Sequence, residues 1–317
     1  MKTKTSIINQ PDGSIAKCVL MIEPVSFGYN RQTAVNNFFQ KEPDISPENI
    51  QRDALEEFQA MTAQLRANRI EVIVIKDTLH PHKPDSIFPN NWVSFHEGGL
   101  VVIYPMFATN RRLERRIEIL DIIETHGKII NNVNNISIWE EEKRFLEGTG
   151  SLVLDRKNGI AYASLSGRTD QSAVEQYCRI YNYEPILFTA RHTVNGKRKN
   201  VYHTNVMMCV ADKFAVIGLS SIDDPAEQTT VTEYLIRSGK EIIEISEEQM
   251  HYFAGNMLQL QNDSGKHFLV MSQSAHDSLT ASQIDKLKSF NELIICSIPT
   301  IEQIGGGSVR CMMAEIF

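Results

Sequence analysis

The chain has 317 residues, 42% of them hydrophobic and 22% charged, with a net charge of −7 and a pI near 5.8. That length can bury a large core, and an acidic balance without a long basic block disfavours nucleic-acid or anionic-membrane binding. No signal-length apolar run follows Met1-Lys2-Thr3-Lys4-Thr5, and the five cysteines are odd in number and lack CxxC spacing. Together these predict a cytoplasmic protein in a reducing compartment, with neither disulfide framework nor membrane span.

Short β-rich patterns predict strands at 18–22, 71–75, 100–104, 151–155, 160–164, 205–210, 214–218, 240–245, 257–260, 267–271, 292–297 and 309–317. Helical patterns fall between them at 47–67, 111–126, 171–182, 227–238 and 281–289. In the second of these Leu113, Ile117, Leu120 and Ile123 share one face, and Ser46-Pro47-Glu48 and Thr280-Ala281-Ser282 have the form of helix starts. The strand–helix rhythm repeats without a linker rich in Pro, Ser or Gly, which predicts one α/β domain over residues 1–317. Ile22-Glu23-Pro24-Val25-Ser26-Phe27-Gly28 follows the first strand and is no phosphate cradle, so nucleotide binding is not expected.

Cys18, Cys209 and Cys296 lie in apolar runs and read as core. Cys311 differs: Gly305-Gly306-Gly307-Ser308-Val309-Arg310-Cys311 carries it to the start of the last apolar segment. It is either a presented nucleophile or a packed thiol behind a flexible loop. Four other segments hold more polar groups than turns require: Pro84-Asp85-Ser86-Ile87-Phe88-Pro89-Asn90-Asn91, Glu147-Gly148-Thr149-Gly150, Leu165-Ser166-Gly167-Arg168-Thr169, and Tyr202-His203-Thr204-Asn205 with His203 opening a strand. Each falls at the end of a β-segment, where α/β folds build sites.

These motifs, in this order, resemble the guanidino-group modifying enzymes: arginine deiminase, dimethylarginine dimethylaminohydrolase and the amidinotransferases. Phe88–Ser94 and Gly305–Met312 are most similar to the deiminase-related citrulline utilisation hydrolases. The resemblance implies a five-bladed α/β propeller of ββαβ units about a pseudo-fivefold axis, with the site in the central channel. It implies Cys311 as nucleophile, His203 as general acid/base and Glu147 as the acid holding the imidazole. Asp85 would bind the group attacked, Phe88 would line its aliphatic stem, and Arg111 and Arg168 would hold the substrate carboxylate. Asn36 would reach the site from an N-terminal loop.

One departure bears on substrate. Deiminases of this kind carry aspartates where this chain has Asn91 and Asn205. A guanidinium offers only donors, whereas a ureido group offers a carbonyl acceptor and N–H donors that amides match. The expected activity is cysteine-dependent hydrolysis of a ureido or guanidino amino acid, with citrulline first, arginine cleaved twice second and plain deimination third. No metal or organic cofactor is expected. The partner is a small molecule, with self-association left open; an amidinotransferase and a noncatalytic binding protein on the same fold are the alternatives.

Overall fold

The computed structural model describes residues 15–317, so the Met1–Thr5 segment lies outside it. Among the described residues, five three-stranded sheets follow one plan. A first strand pairs antiparallel with a central strand, and the central strand pairs in parallel with a third. In chain order four of them comprise Val93–His96, Leu100–Ile103 and Asn132–Asn135; Val153–Asp155, Ile160–Ser164 and Glu184–Phe188; Met208–Val210, Phe214–Ile217 and Glu241–Glu244; and Leu258–Gln261, His267–Ser272 and Glu292–Cys296. The remaining sheet joins the chain ends. Ala314–Ile316 pairs with Cys18–Glu23, which pairs with Glu71–Lys76.

Each parallel step needs a crossover, and a helix supplies it: Pro47–Ala67, Ile119–Thr125, Gln171–Tyr181, Pro225–Arg237 and Ala281–Lys288. The longest begins where Ser46 accepts from Asn49 N with Pro47 in the first turn, and it buries Ile50, Ala54, Phe58, Met61 and Leu65. Each large apolar side chain there contributes about 1.5–3 kcal/mol, enough to set the docking face without help from intrinsic propensity. Thr280 and Gln283 form a capping box at Ala281–Lys288.

Three expectations change. The continuous helix over 111–126 is a 3₁₀ turn, Thr109–Glu114, and a shorter α-helix, Ile119–Thr125. Arg115 leaves helical geometry between them (ψ 76°), so Arg111 and Glu114 turn inward while Leu113 and Ile117 are exposed. The strands expected over 151–155 and 205–210 begin later, each after one helical turn, Gly148–Ser151 and Thr204–Met207. His203 therefore precedes a helical turn rather than opening a strand. The last strand is only Ala314–Ile316, which leaves Cys311 on the turn before it.

Strands at Val93–His96, Asn132–Asn135 and Glu184–Phe188 and the hairpin Arg191–Val194/Lys197–Asn200 had no sequence prediction. Asn132–Asn135 and Lys197–Asn200 are almost wholly polar edge strands. Glu184–Phe188 holds a proline, tolerated because it is paired on one side only. No helix among the described residues is long and apolar enough to cross a membrane.

Candidate active site

The turns leading into the first strands carry most of the residues singled out in the sequence, while Asn36, Arg111 and Arg168 follow the central strands Cys18–Glu23, Leu100–Ile103 and Ile160–Ser164. Phe88 and Asn91 precede Val93–His96, Glu147 precedes Val153–Asp155, His203 and Asn205 precede Met208–Val210, and Cys311 precedes Ala314–Ile316. The turn before Leu258–Gln261 holds Asn256, which the sequence did not single out.

His203 Nε2 lies 2.7 Å from Glu147 Oε2, with both side chains fully buried. Burial pushes the Glu147 carboxyl up, but Arg168, the hydrogen bond from His203, and Arg111 outweigh it and hold the pKa down to about 2. Burial lowers His203 to about 4, opposed by Glu147 and reinforced by the two arginines. Near neutrality the pair is thus a carboxylate and a neutral imidazole. A carboxylate only accepts, so Nε2 carries the ring proton and Nδ1 is left as a base. The ring packs on Gly150, where an added Cβ would come within 2.8 Å of His203 Nδ1 and 2.4 Å of Asn91 Nδ2. That accounts for the second glycine of Glu147-Gly148-Thr149-Gly150.

Cys311 is buried, with Asn205 Nδ2 at 3.5 Å and Asn256 Nδ2 at 3.3 Å from Sγ. The glycine run reaches it over the Phe88 ring, which a Cβ at Gly305 would strike at 2.7 Å, and Gly306 turns at φ 61°. The Tyr202 hydroxyl donates to the Gly306 carbonyl, and its ring lies 4.7 Å from that of His203. Asn205 and Tyr202 therefore join the imidazole turn to the sulfur turn directly.

Asp85 Oδ2 accepts from Asn30 Nδ2 at 2.7 Å and Thr33 Oγ1 at 3.3 Å, and Arg111 Nε stands 3.6 Å away. Its other oxygen, Oδ1, is buried without a partner. Burial raises the Asp85 pKa against the pull of Arg111. Arg111 spends its donors on Glu114 (2.9 Å twice), Asn91 Oδ1 (2.8 Å) and the Phe88 carbonyl (3.3 Å). These partners are all protein groups, and its Nη1 also stands 3.9 Å from Glu147 Oε2. Asn91 is likewise engaged, accepting from Arg111 and donating to Asn90 Oδ1 at 3.0 Å. Arg168 donates to Asn36 Oδ1 at 2.6 and 3.0 Å, to the Thr33 carbonyl and to Glu147.

Sequence reading missed Asn30, Thr33, Glu114, Tyr202 and Asn256. Glu114 was visible as the acid interrupting an arginine cluster, and its i,i+3 spacing to Arg111 was the available signal. Among the described residues no group of three His, Cys, Asp or Glu side chains is placed to hold a metal ion.

The model of the family described as N,N dimethylarginine dimethylhydrolase, eukaryotic, matches residues 23–317. The chain belongs to that family. It thereby falls within the guanidino-modifying superfamily that the motifs resemble. No curated protein matches it by sequence. The apo structure of ArgZ, an arginine dihydrolase from the ornithine–ammonia cycle in cyanobacteria, is similar with a TM-score of 0.71 and 15% identity. The match covers 94% of this chain and 40% of ArgZ, so the chain spans about two fifths of that protein. The N-terminal domain of ArgZ covalently bonded to a reaction intermediate has a TM-score of 0.69 and 15% identity, over 95% of this chain and 97% of that domain. DDAH from Pseudomonas aeruginosa, a cysteine-to-serine variant complexed with citrulline, gives 0.64 and 17% identity over 95% and 100%. These structures share the fold.

Proposed function

We propose that the chain hydrolyses the ureido or guanidino group of a small amino acid through a covalent intermediate on Cys311. The observation that carries this reading is a buried thiol against Asn205, two residues on from the carboxylate-held neutral imidazole of His203, together with an unpartnered carboxylate oxygen on Asp85. The reading also arranges the five sheets about a pseudo-fivefold axis within one domain, with this site in the central channel.

Cys311 passes its proton to His203 as sulfur adds to the planar carbon, and Glu147 stabilises the imidazolium formed. His203 then protonates the departing nitrogen, and ammonia leaves. From a guanidine this gives a thiouronium, and from a ureide a thiocarbamate. Water adds next, His203 takes its proton, and the C–S bond breaks. A ureide ends as a carbamic acid that loses carbon dioxide, so citrulline yields ornithine, carbon dioxide and ammonia. Asp85 Oδ1 accepts an N–H of the reacting group, and Phe88 lines its stem. The substrate carboxylate takes the place of Asn36 Oδ1 on Arg168.

Citrulline is the favoured substrate because Asn205, the side chain against the reacting sulfur, is an amide and not a carboxylate. The similar proteins include an arginine dihydrolase and a DDAH variant complexed with citrulline, which supports the same class. Ammonia and ornithine release from citrulline, arginine and dimethylarginine tests the proposal. Turnover of citrulline that Cys311→Ser abolishes is the expected result. Turnover surviving Cys311→Ser, or none with any guanidino or ureido amino acid, overturns it. Product analysis with an added acceptor amine separates hydrolysis from amidino transfer.

A further inference from the structure

Asn256 is fully buried and its amide orientation is fixed by two backbone groups that each have a single role. Arg310 N can only donate, and it donates to Asn256 Oδ1 at 3.0 Å. The Asn205 carbonyl can only accept, and Asn256 Nδ2 donates to it at 2.8 Å. The second Nδ2 proton is directed to Cys311 Sγ, 3.3 Å away. The flip that would present oxygen to sulfur would set acceptor against acceptor and donor against donor.

Asn205 behaves differently. Its Nδ2 and Oδ1 lie 3.5 and 3.8 Å from Sγ, so it can donate to a thiolate or accept from a thiol. Asn256 can only donate. A donor that faces sulfur in every state favours the charged form, because hydrogen bonding to an anion stabilises it over the neutral acid. Gly255 makes this placement possible. A Cβ there would come within 2.5 Å of the Val206 carbonyl, so glycine lets this turn lie flush on the turn after His203.

We propose that Asn256 is a further catalytic residue, a backbone-clamped amide donor that stabilises the Cys311 thiolate. The proposal rests on Cys311 being the nucleophile, and the experiment separates the two. The pH profile of Cys311 alkylation by iodoacetamide is measured for the whole protein, peptide by peptide, in wild type, Asn256→Ala and Asn256→Asp, with kcat and KM on the best substrate. The alkylation midpoint is expected to move alkaline by about one unit in Asn256→Ala and further in Asn256→Asp, where a carboxylate opposes the thiolate. The loss should fall on kcat, about tenfold or more at neutral pH, with KM within about threefold.

A purely structural role reverses the order, since Asp fills the space that Ala leaves open. A folded variant with the wild-type midpoint, or a larger shift in Ala than in Asp, overturns the proposal while leaving Cys311 as nucleophile. Turnover that survives Cys311→Ser sinks the functional reading itself. Because both variants disturb a buried amide, a wild-type measurement accompanies them. The Asn256 side-chain NH₂ resonance in protein labelled with ¹⁵N-asparagine should shift with the Cys311 titration and be static in Cys311→Ser. A resonance that ignores the titration overturns the proposal.

Discussion

The groups packed around His203 are charged, with Glu147, Arg168 and Arg111 all buried, whereas those around Cys311 are the neutral amides of Asn205 and Asn256. On the imidazole side the buried arginines and the imidazole hold the acid ionised and burial holds the ring neutral, which on the proposed mechanism readies it to take a proton. On the sulfur side amide donors are present without a fixed cation, so on the proposed mechanism the charge on sulfur can come and go between the two half-reactions. Burial pushes Cys18, Cys178, Cys209 and Cys296 up to about 12, where a thiol is inert near neutrality.

Breaking the charged side should cost most. Glu147→Gln keeps the shape but withdraws the anion that fixes the His203 proton on Nε2 and balances Arg168 and Arg111. We expect kcat to fall by about 10³-fold, within the span that a positioned acid–base group contributes, while iodoacetamide still labels Cys311. Near-wild-type turnover would mean that the pair is structural. Asp85→Asn removes the unpartnered acceptor. A hydrogen bond to a charged group is worth about 1.5–3 kcal/mol, so kcat/KM should fall by about 10–10²-fold. An unchanged kcat/KM would remove Asp85 from substrate recognition.

Changing the neutral side into a charged one sharpens the contrast. Asn205→Asp places a carboxylate against the sulfur. It should lower kcat on both substrates and move the arginine-to-citrulline ratio of kcat/KM towards arginine by about tenfold, since a guanidinium tolerates the new charge and a carbonyl does not. Asn91→Asp should do little to this ratio, because Asn91 is already engaged by Arg111 and Asn90. A ratio that moves with Asn91 and ignores Asn205 would reverse the assignment.

The strands that make up the sheet centres were legible in the sequence because buried parallel strands read as continuous apolar runs, as in Val19–Ile22 and Phe268–Met271. Edge strands such as Asn132–Asn135 were not, since exposure removes the apolar signal. Within the site, Cys311 and His203 stood out through residue type and neighbouring motif. Asn256 did not, because its importance lies in which backbone groups clamp it, and those belong to Asn205 and Arg310, 51 and 54 residues away along the chain. Arg111 was singled out, but its burial with Glu114 was not legible, because a helix pattern over 111–126 hid the break at Arg115 that turns both inward.

A second buried imidazole, held without a carboxylate hydrogen bond, gives the mildest test. His192 bonds His251 (Nδ1 to Nε2, 3.1 Å) and stacks on Phe39 at 5.0 Å. Burial lowers it from 6.5 to about 4, with His251 adding and Glu247 opposing. A base whose folded pKa is depressed binds fewer protons folded than unfolded between those values. The contribution to stability is therefore present above pH 6.5 and is lost as pH falls towards 4. Comparing wild type with His192→Gln cancels the other titrating groups. The difference in melting temperature, wild type minus variant, should be constant above pH 6.5 and move against wild type between 6.5 and 4, with little change in kcat at neutral pH. A difference that stays flat across that window would show that His192 is not held neutral by the fold. The acid side of the stability curve would then rest on His203 and its charged neighbours.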